Sequence, residues 1–247
     1  MPGSGTTKDE NHPHPSLPRR GGGIQGGGHF HTKKRQTSVK HRGEINLTRI
    51  VFATKNKGKL REIKGMLAGL DFELLSLDDF PAIPDIVEDG HSYLENSLKK
   101  ASIVSEFTGE MVLADDSGLE VDALSGAPGI YSSRYDGDNA TDESNVKKLL
   151  KELQGMPPEK RSATYHCALV FYMPGGTYEV FNGRWEGRIH DVPLGEGGFG
   201  YDPVFLLPDR GVTAAQLPAD EKNRLSHRAQ AFAGFRERWQ NYNSDGA

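Results

Sequence analysis

The segment from Val112 to Asp122 joins an apolar run to the adjacent carboxylates Asp115 and Asp116 and then turns at a Ser–Gly pair. This pattern predicts a short strand over residues 111–114 that ends at the Asp pair. Ligands of parallel α/β sheets bind at the carboxyl ends of strands, and neighbouring side chains of a strand point to opposite faces. One carboxylate is therefore expected to face a ligand, while the other anchors the turn or a metal shell.

An alternative interpretation of the same residues is an Asx-type turn, in which Asp116 and Ser117 bond the local backbone and have no chemical role. Taken alone, the segment favours that turn. Three further motifs, described below, favour the ligand site instead.

The chain has 247 residues, of which 35% are hydrophobic. Residues 1–46 form a low-complexity arm of glycine runs, histidines and a short basic cluster, with little to bury against the entropy of ordering the chain. The arm is interpreted as a natural disordered segment, a mis-set start codon or a remnant of the expression vector. We expect one folded domain over residues 47–242 and a polar tail over residues 243–247.

Charge and composition exclude several classes of protein. A formal net charge of −4 is not that of a polycation built for nucleic acid, so no stable nucleic-acid partner is expected. The single cysteine, Cys167, excludes an intramolecular disulfide and a zinc site built on several cysteines. The chain lacks an apolar window of membrane-spanning length and a secretory signal. We therefore expect a cytoplasmic protein that does not associate with a membrane.

Hydrophobic patterning predicts strand–helix–strand units followed by antiparallel strands, which indicates an α/β domain with a mixed twisted sheet flanked by helices. One long loop is expected over residues 118–137, and a single C-terminal helix is expected to carry Leu225, Phe232, Phe235 and Trp239 on one face. The other predicted elements are strands over residues 48–53, 72–77, 163–173, 178–181, 183–190 and 204–207, and helices over residues 57–70, 93–107 and 141–154.

The turn from Ala53 to Lys59 lies between a predicted strand and a predicted helix. Such a junction presents free backbone N–H groups and the positive end of the helix dipole, and three lysines and a glycine suit a polyphosphate. It is not a Walker A loop, because Lys59 is followed by Leu60 instead of Ser or Thr. The alternative is a polar loop that happens to be basic.

Two residues beside the next helix are candidates for the same cleft. Glu88 lies in the preceding loop, from which a carboxylate can reach a metal. Lys100 lies next to the predicted apolar face formed by Leu94, Leu98 and Ala101, so we expect it to point towards the cleft.

The second half of the chain contributes two motifs. In Gly197–Asp202, glycines beside Phe199 allow close approach to a flat ligand, and the ring can stack on a base. Further on, Ser226 is expected to cap a helix and to place His227 and Arg228 in its first turn, close to Lys222, as a corner for an anion or a carbonyl. The alternative for this last cluster is a solvated basic helix face.

Together these motifs imply a nucleoside-phosphate site with Mg²⁺, which is commonly held by one or two carboxylates and the phosphates of the substrate. In this order they resemble the inosine triphosphate pyrophosphatase family, also called the Ham1-like family, over about residues 48–240. The motifs are Thr54-x-Asn56-x-Gly58-Lys59, Glu88-x-Gly90, Glu95-Asn96, Lys100-Ala101, Ala114-Asp-Asp-Ser-Gly-Leu119, Gly126-Ala-Pro-Gly-Ile-Tyr-Ser-Ser-Arg-Tyr135, Gly197-Gly-Phe-Gly-Tyr-Asp-Pro203, Glu221-Lys222 and Ser226-His-Arg228.

The resemblance implies two lobes around a central nucleotide cleft, a homodimer, and Mg²⁺-dependent hydrolysis of non-canonical purine nucleoside triphosphates. The implied substrates are ITP, dITP and XTP, the products are a nucleoside monophosphate and pyrophosphate, and the purpose is cleansing of the nucleotide pool. Two alternatives stay open: a pyrophosphatase for other modified nucleotides, and a nucleotide-binding or sensing protein without turnover.

The resemblance also implies roles for residues. Asp116 is the expected general base, and Glu88, Asp115 and Asp116 are the expected metal ligands. Lys55 departs from the family, in which this position is often small. The expected substrate-binding residues are Thr54, Lys55, Asn56, Lys57, Gly58, Lys59, Lys100, Ser117, Phe199, Gly200, Tyr201, Asp202, Lys222, His227 and Arg228.

Overall fold

The structure is a computed structural model that describes residues 47–245, with side chains described to residue 242. The predicted arm over residues 1–46 lies outside the described residues, and the predicted domain boundaries stay predictions. The strands of the described part are β1 (Arg49–Phe52), β2 (Glu73–Ser76), β3 (Met111–Val121), β4 (Ser162–Tyr172), β5 (Tyr178–Ile189), β6 (Phe205–Leu207) and β7 (Val212–Thr213). Its α-helices are α1 (Lys57–Met66), α2 (Tyr93–Thr108), α3 (Asp142–Glu152), α4 (Ala219–Leu225) and α5 (His227–Asp245).

The strands form one mixed sheet in the order β2-β1-β3-β4-β5-β6-β7. β1 is parallel to both β2 and β3, whereas every pair from β3 to β7 is antiparallel. This arrangement confirms the predicted α/β class, because strand–helix–strand units supply the parallel edge and antiparallel pairs supply the rest.

Apolar side chains bury both faces of the sheet and both ends of its long strands. One core packs α1 and α5 against residues such as Phe52, Leu113 and Phe171. A second core lies at the other end of β3 and β4, around Leu119, Tyr165 and α3. The two cores correspond to the two expected lobes. A third packs α2 on the opposite sheet face, around Val112 and Ala114.

The prediction that a strand ends at the Asp pair was wrong. β3 continues through Asp115 and Asp116 to Val121 because β4 pairs with it along this whole length, from Val112–Tyr172 to Val121–Ala163. The peptide groups on one edge of this segment therefore bond to β4, and no turn is needed to satisfy them. The predicted alternation of side chains across the strand holds: Asp116 lies on the α2 side and Asp115 on the side of α1 and α5.

Three other predictions need correction. The expected loop over residues 118–137 begins as strand and contains two short 3₁₀ segments, Asp122–Leu124 and Gly129–Arg134. The expected strands over residues 178–181 and 183–190 form the single strand β5, because β4 pairs with all of it to Arg188. The expected C-terminal helix is interrupted at Ser226, which separates α4 from α5.

The face of α2 that packs on the sheet includes the predicted Leu98 and Ala101, but the predicted Leu94 does not belong to it. Leu94 is 39% exposed, whereas Asn96, Ser97 and Lys100 are buried. These polar side chains have buried partners: Asn96 bonds Asp116, and Ser97 bonds the carbonyl of Ala168. The face of α2 that meets the sheet thus carries polar groups directly over the middle of β3.

Candidate functional site

A cavity of about 530 Å³ opens beside the middle of β3. β1 pairs with β3 only as far as Leu113, so beyond that point β3 has a strand partner on one edge alone, which is β4. The space that β1 leaves at its carboxyl end is the cavity. The predicted site residues that line it are Thr54, Lys55, Asn56, Lys59, Glu88, Lys100, Asp116, Ser117, Phe199, Gly200, Tyr201, Asp202, Lys222, His227 and Arg228.

The remaining predicted site residues, Lys57, Gly58 and Asp115, lie outside this lining. Lys57 is the first residue of α1. Packing explains the glycine at position 58. A Cβ on Gly58 would lie 2.8 Å from Cδ1 of Phe199, so the glycine leaves room for that ring.

The junction between β1 and α1 has the expected geometry. Asn56 is the N-cap of α1, and its Oδ1 accepts a hydrogen bond from the backbone N–H of Lys59 at 3.0 Å. Thr54 Oγ1 accepts one from the backbone N–H of Asn56 at 3.1 Å. These two hydrogen bonds fix the start of the helix, where backbone N–H groups and the helix dipole favour an anion.

Asp116 is a buried carboxylate of the cavity, with 6% exposure. Its Oδ2 accepts a hydrogen bond from Asn96 Nδ2 at 2.9 Å, and its Oδ1 accepts one from the backbone N–H of Ser117 at 2.9 Å. Burial raises the pKa of this carboxyl, against the opposing effect of Lys100 and Lys59. A carboxylate with a raised pKa is a stronger proton acceptor than an exposed one.

Glu88 and Lys100 form the next part of the wall. Lys100 Nζ contacts Glu88 Oε1 at 2.5 Å and donates to the backbone carbonyl of Asp115 at 2.8 Å. Burial lowers the pKa of Lys100, but Glu88, Asp116 and Asp115 together outweigh it and raise that pKa. Lys100 therefore remains a cation, and it faces the cavity as the sequence predicts.

Asp115 lies on the other side of β3, and its side chain is completely buried. Lys59 Nζ lies 3.0 Å and Arg228 Nε 3.3 Å from its Oδ2. Burial acts to raise the pKa of Asp115, but Lys59, Arg228 and Lys100 outweigh it and lower that pKa. This position does not favour the predicted metal role of Asp115, because its carboxylate is already engaged by two cations behind the cavity wall.

Glu62 is a residue that the sequence analysis missed. It is 11% exposed by side chain, and it contacts Lys222 Nζ at 2.7 Å and Arg228 Nη1 at 2.5 Å. The available signal was its helical spacing: Lys59, Glu62, Ile63 and Met66 share one face of α1, and that face is the buried one. Glu62 thus orients two cations that the sequence predicts as substrate-binding.

The cationic groups of Lys222 and Arg228 lie over the ring of Phe199. Lys222 Nζ lies 4.9 Å and Arg228 Cζ 5.5 Å from the ring centroid. The backbone N–H of Phe199 donates to Asp202 Oδ2 at 2.8 Å, and the same oxygen contacts Lys222. The glycine-rich turn therefore holds an aromatic ring in the cavity between charged groups that can read the edge of a flat ligand.

His227 begins α5, behind the cap that Ser226 forms by accepting from the backbone N–H of Ala229 at 3.2 Å. Its ring stacks on Tyr165 with centroids 4.6 Å apart, and its Nδ1 has no hydrogen-bond partner within residues 47–242. Burial lowers the pKa of His227 well below its ordinary value, and Arg228 and Lys222 add to this. The imidazole is therefore neutral at pH 7.

His227 should make the protein less stable in mild acid. Its pKa is depressed in the folded state, so below about pH 6.5 the unfolded chain binds a proton that the folded chain does not. The free energy of unfolding is then expected to fall by about 1 kcal/mol from this residue between pH 6.5 and pH 5.5, and by about 1.4 kcal/mol per pH unit at lower pH. Urea unfolding at pH 6.5 and pH 5.5 measures it. His227→Gln should show a smaller difference, and an equal difference in both proteins would contradict the assignment.

Two negative findings concern the described residues. Between residues 47 and 242, no three His, Cys, Asp or Glu side chains converge as a group that could hold a metal ion. In the same part of the chain, no helix has the length and apolar character needed to cross a membrane.

The fold and the cavity define an α/β protein with a site for a large, flat and anionic ligand. The sequence profile of the Ham1 family matches residues 50–238. The chain belongs to the Ham1 family.

Relatives and solved structures agree with this membership. The chain is 53% identical over 196 residues to a protein of Geobacter sulfurreducens named dITP/XTP pyrophosphatase, which covers 78% of the chain and 98% of that relative. A protein of the same name from Geobacillus kaustophilus is 49% identical over 191 residues, 77% of the chain and 94% of that relative. Ham1 protein structures from Coxiella burnetii and Staphylococcus aureus superpose with TM-scores of 0.70 and 0.71, at 41% and 36% identity, covering 76% and 79% of the chain and 96% and 100% of the solved chains.

Proposed function

We propose that this protein hydrolyses non-canonical purine nucleoside triphosphates, namely ITP, dITP and XTP, to the nucleoside monophosphate and pyrophosphate. The observation that carries the proposal is one cavity that holds the buried carboxylate Asp116 together with Phe199 and its flanking cations. The name dITP/XTP pyrophosphatase, carried by bacterial relatives at 53% and 49% identity, supports dITP and XTP as substrates. Removal of such nucleotides would cleanse the nucleotide pool.

Asp116 is the proposed general base. It would take a proton from a water molecule, whose oxygen then attacks the α-phosphorus, and the bond from that phosphorus to the bridging oxygen breaks as pyrophosphate leaves. Its raised pKa and its hydrogen bond from Asn96 support this role, because the base must be both basic and held in place. Thr54, Asn56, Lys59, Lys100 and Ser117 are proposed to bind the phosphates.

Mg²⁺ is the proposed cofactor, and Glu88 and Asp116 are the residues that would hold it. Both carboxylates line the cavity, and Glu88 keeps a side-chain exposure of 31%, so its oxygens face open space. Two carboxylates together with substrate phosphates are a common Mg²⁺ donor set. When bound, the ion would neutralise charge that develops on the departing pyrophosphate.

Lys222, His227 and Arg228 are proposed to read the purine edge while Phe199 stacks on the base. Hypoxanthine and xanthine present a carbonyl acceptor at C6, whereas adenine presents an amino donor there. Lys222 and Arg228 can only donate, so adenine would leave donors facing a donor. A buried polar mismatch of this kind supports discrimination of about 10⁴.

The test is to identify the products formed from ITP. Anion-exchange chromatography should show IMP and pyrophosphate in equal amounts, and chelation of divalent ions with EDTA should abolish both. IDP and inorganic phosphate would place the attack at the γ-phosphorus and contradict the assignment. Product formation that continues in EDTA would contradict the metal proposal alone.

The expected homodimer and cytoplasmic location stay predictions. Light scattering of the purified full chain measures the first: a mass near twice 27.1 kDa is expected, and a mass near 27.1 kDa would contradict it.

A further inference from the structure

An exposed ion pair lies at the rim of the cavity, between the turn that follows β1 and the irregular loop before α2. Lys55 Nζ contacts Asp85 Oδ1, and both residues line the cavity. The two side chains are 67% and 91% exposed. The pair therefore joins the two loops across the entrance while both of its members remain in contact with solvent.

The other cations of the cavity wall are paired in a different way. Lys59 and Arg228 contact the fully buried Asp115, Lys222 contacts Glu62 and Asp202, and Lys100 contacts Glu88. Removing one partner from a buried pair is costly, whereas an exposed pair contributes little. Among the cavity cations of residues 47–242, Lys55 is therefore the one that an incoming anion can recruit at the lowest cost.

The order of strands places this pair at one end of the cavity. Lys55 follows β1 and Asp85 belongs to the connection after β2, which is the edge strand next to β1. Phe199 comes from the segment after β5 and Lys222 from α4 after β7, so in strand order Asp116, on β3, lies between them and Lys55. A nucleotide whose base stacks on Phe199 and whose α-phosphate meets Asp116 would direct its remaining phosphates towards Lys55.

We propose that Lys55 reads the terminal phosphate of a nucleoside triphosphate, and that Asp85 holds it as an exchangeable counterion until the substrate arrives. The inference rests on the proposed function and deepens it, because it makes this chain selective for triphosphates over the corresponding diphosphates. The terminal phosphate replaces the carboxylate of Asp85 on the Lys55 ammonium group. The exposed rim pair opens while the buried pairs of the wall stay intact.

The test compares ITP with IDP, which differ only in the terminal phosphate. Lys55→Met should raise the KM for ITP about tenfold, the effect of one charge-assisted contact, and should leave the inhibition constant of IDP within about twofold. Asp85→Asn should lower the KM for ITP about two- to fivefold, because the competing carboxylate is gone. Lys55→Met/Asp85→Asn should match Lys55→Met alone, since the effect of Asp85 passes through Lys55.

Lys99→Met is the matched control. Lys99 pairs with Asp89 of the same loop at 2.5 Å, but both lie outside the lining of the cavity. Its KM for ITP should stay within about twofold of the wild type. An equal weakening of ITP and IDP by Lys55→Met would overturn the reading of the terminal phosphate, and a benefit of Asp85→Asn that persists without Lys55 would overturn the exchange.

Failure of the inference and failure of the proposed function are distinguishable. If the wild-type chain does not hydrolyse ITP, the proposed function fails, and calorimetric binding of ITP and IDP to the same variants still decides the role of Lys55. If the wild-type chain hydrolyses ITP and Lys55→Met leaves its KM unchanged, the inference alone fails.

Discussion

Asp116→Asn is expected to lower kcat for ITP by about a thousandfold, within the range that general bases contribute. An amide cannot accept the proton of the attacking water, although it occupies nearly the same volume. The side chain accepts hydrogen bonds from both Asn96 and the backbone of Ser117, and an amide has one acceptor oxygen for these two donors. We therefore expect a loss of about 1 kcal/mol in the free energy of unfolding and a folded protein.

The measurement is single-turnover hydrolysis of ITP at saturating Mg²⁺, which limits the contribution of weakened metal binding, alongside calorimetric binding of ITP. Asp122→Asn is the control, because this exposed residue follows β3 directly and lies outside the lining of the cavity. Its kcat should equal that of the wild type. A kcat for Asp116→Asn within about tenfold of the wild type would contradict the assignment of the base.

Gly183→Ala is expected to destabilise the protein by about 3 kcal/mol, at the upper end of the cost of overpacking. A Cβ at this position in β5 would lie 1.8 Å from the carbonyl oxygen of His227 and 3.0 Å from the backbone nitrogen of Ala231. Both contacts are backbone atoms, so no side-chain rotation relieves them. The start of α5 must move, and it carries His227 and Arg228 away from the cavity.

Urea unfolding and the KM for ITP measure the two consequences of Gly183→Ala. Gly65→Ala is the matched control, because its Cβ in α1 would meet only the Asn223 amide nitrogen at 3.2 Å, and alanine favours a helix over glycine by up to about 1 kcal/mol. It should therefore be neutral or stabilising. If the Gly183→Ala variant unfolds at the same urea concentration as the wild type, that result would contradict the close packing of α5 on β5.

The sequence predicted most of the elements because their patterns are local. The helical spacing in α1 and the cap at Ser226 depend on residues within one turn, and both appear where the sequence places them. The end of β3 could not be predicted in this way. It is set by β4, whose pairing residues lie far along the chain and are not visible in the segment around Asp116.

The site was predicted from residue types and their order, and its lining matches that prediction closely. Sequence reasoning could not assign partners among so many charges. The family resemblance placed Asp115 among the metal ligands, whereas the alternation of side chains along β3 directs its carboxylate to Lys59 and Arg228. It missed Glu62 because that residue contacts Lys222 and Arg228 from a distant part of the chain.

The proposed activity depends on the role of Asp116 as general base and on recognition of the purine ring. Both are tested together by pyrophosphate release from ITP, XTP, dITP, ATP, GTP and dUTP in the presence of Mg²⁺, with the wild-type protein and Asp116→Asn side by side. We expect fast release from ITP, XTP and dITP but not from ATP, and we expect that release to be lost in the variant. No release from any of these nucleotides, with tight binding of ITP retained, would contradict the account and indicate a nucleotide-binding protein without turnover.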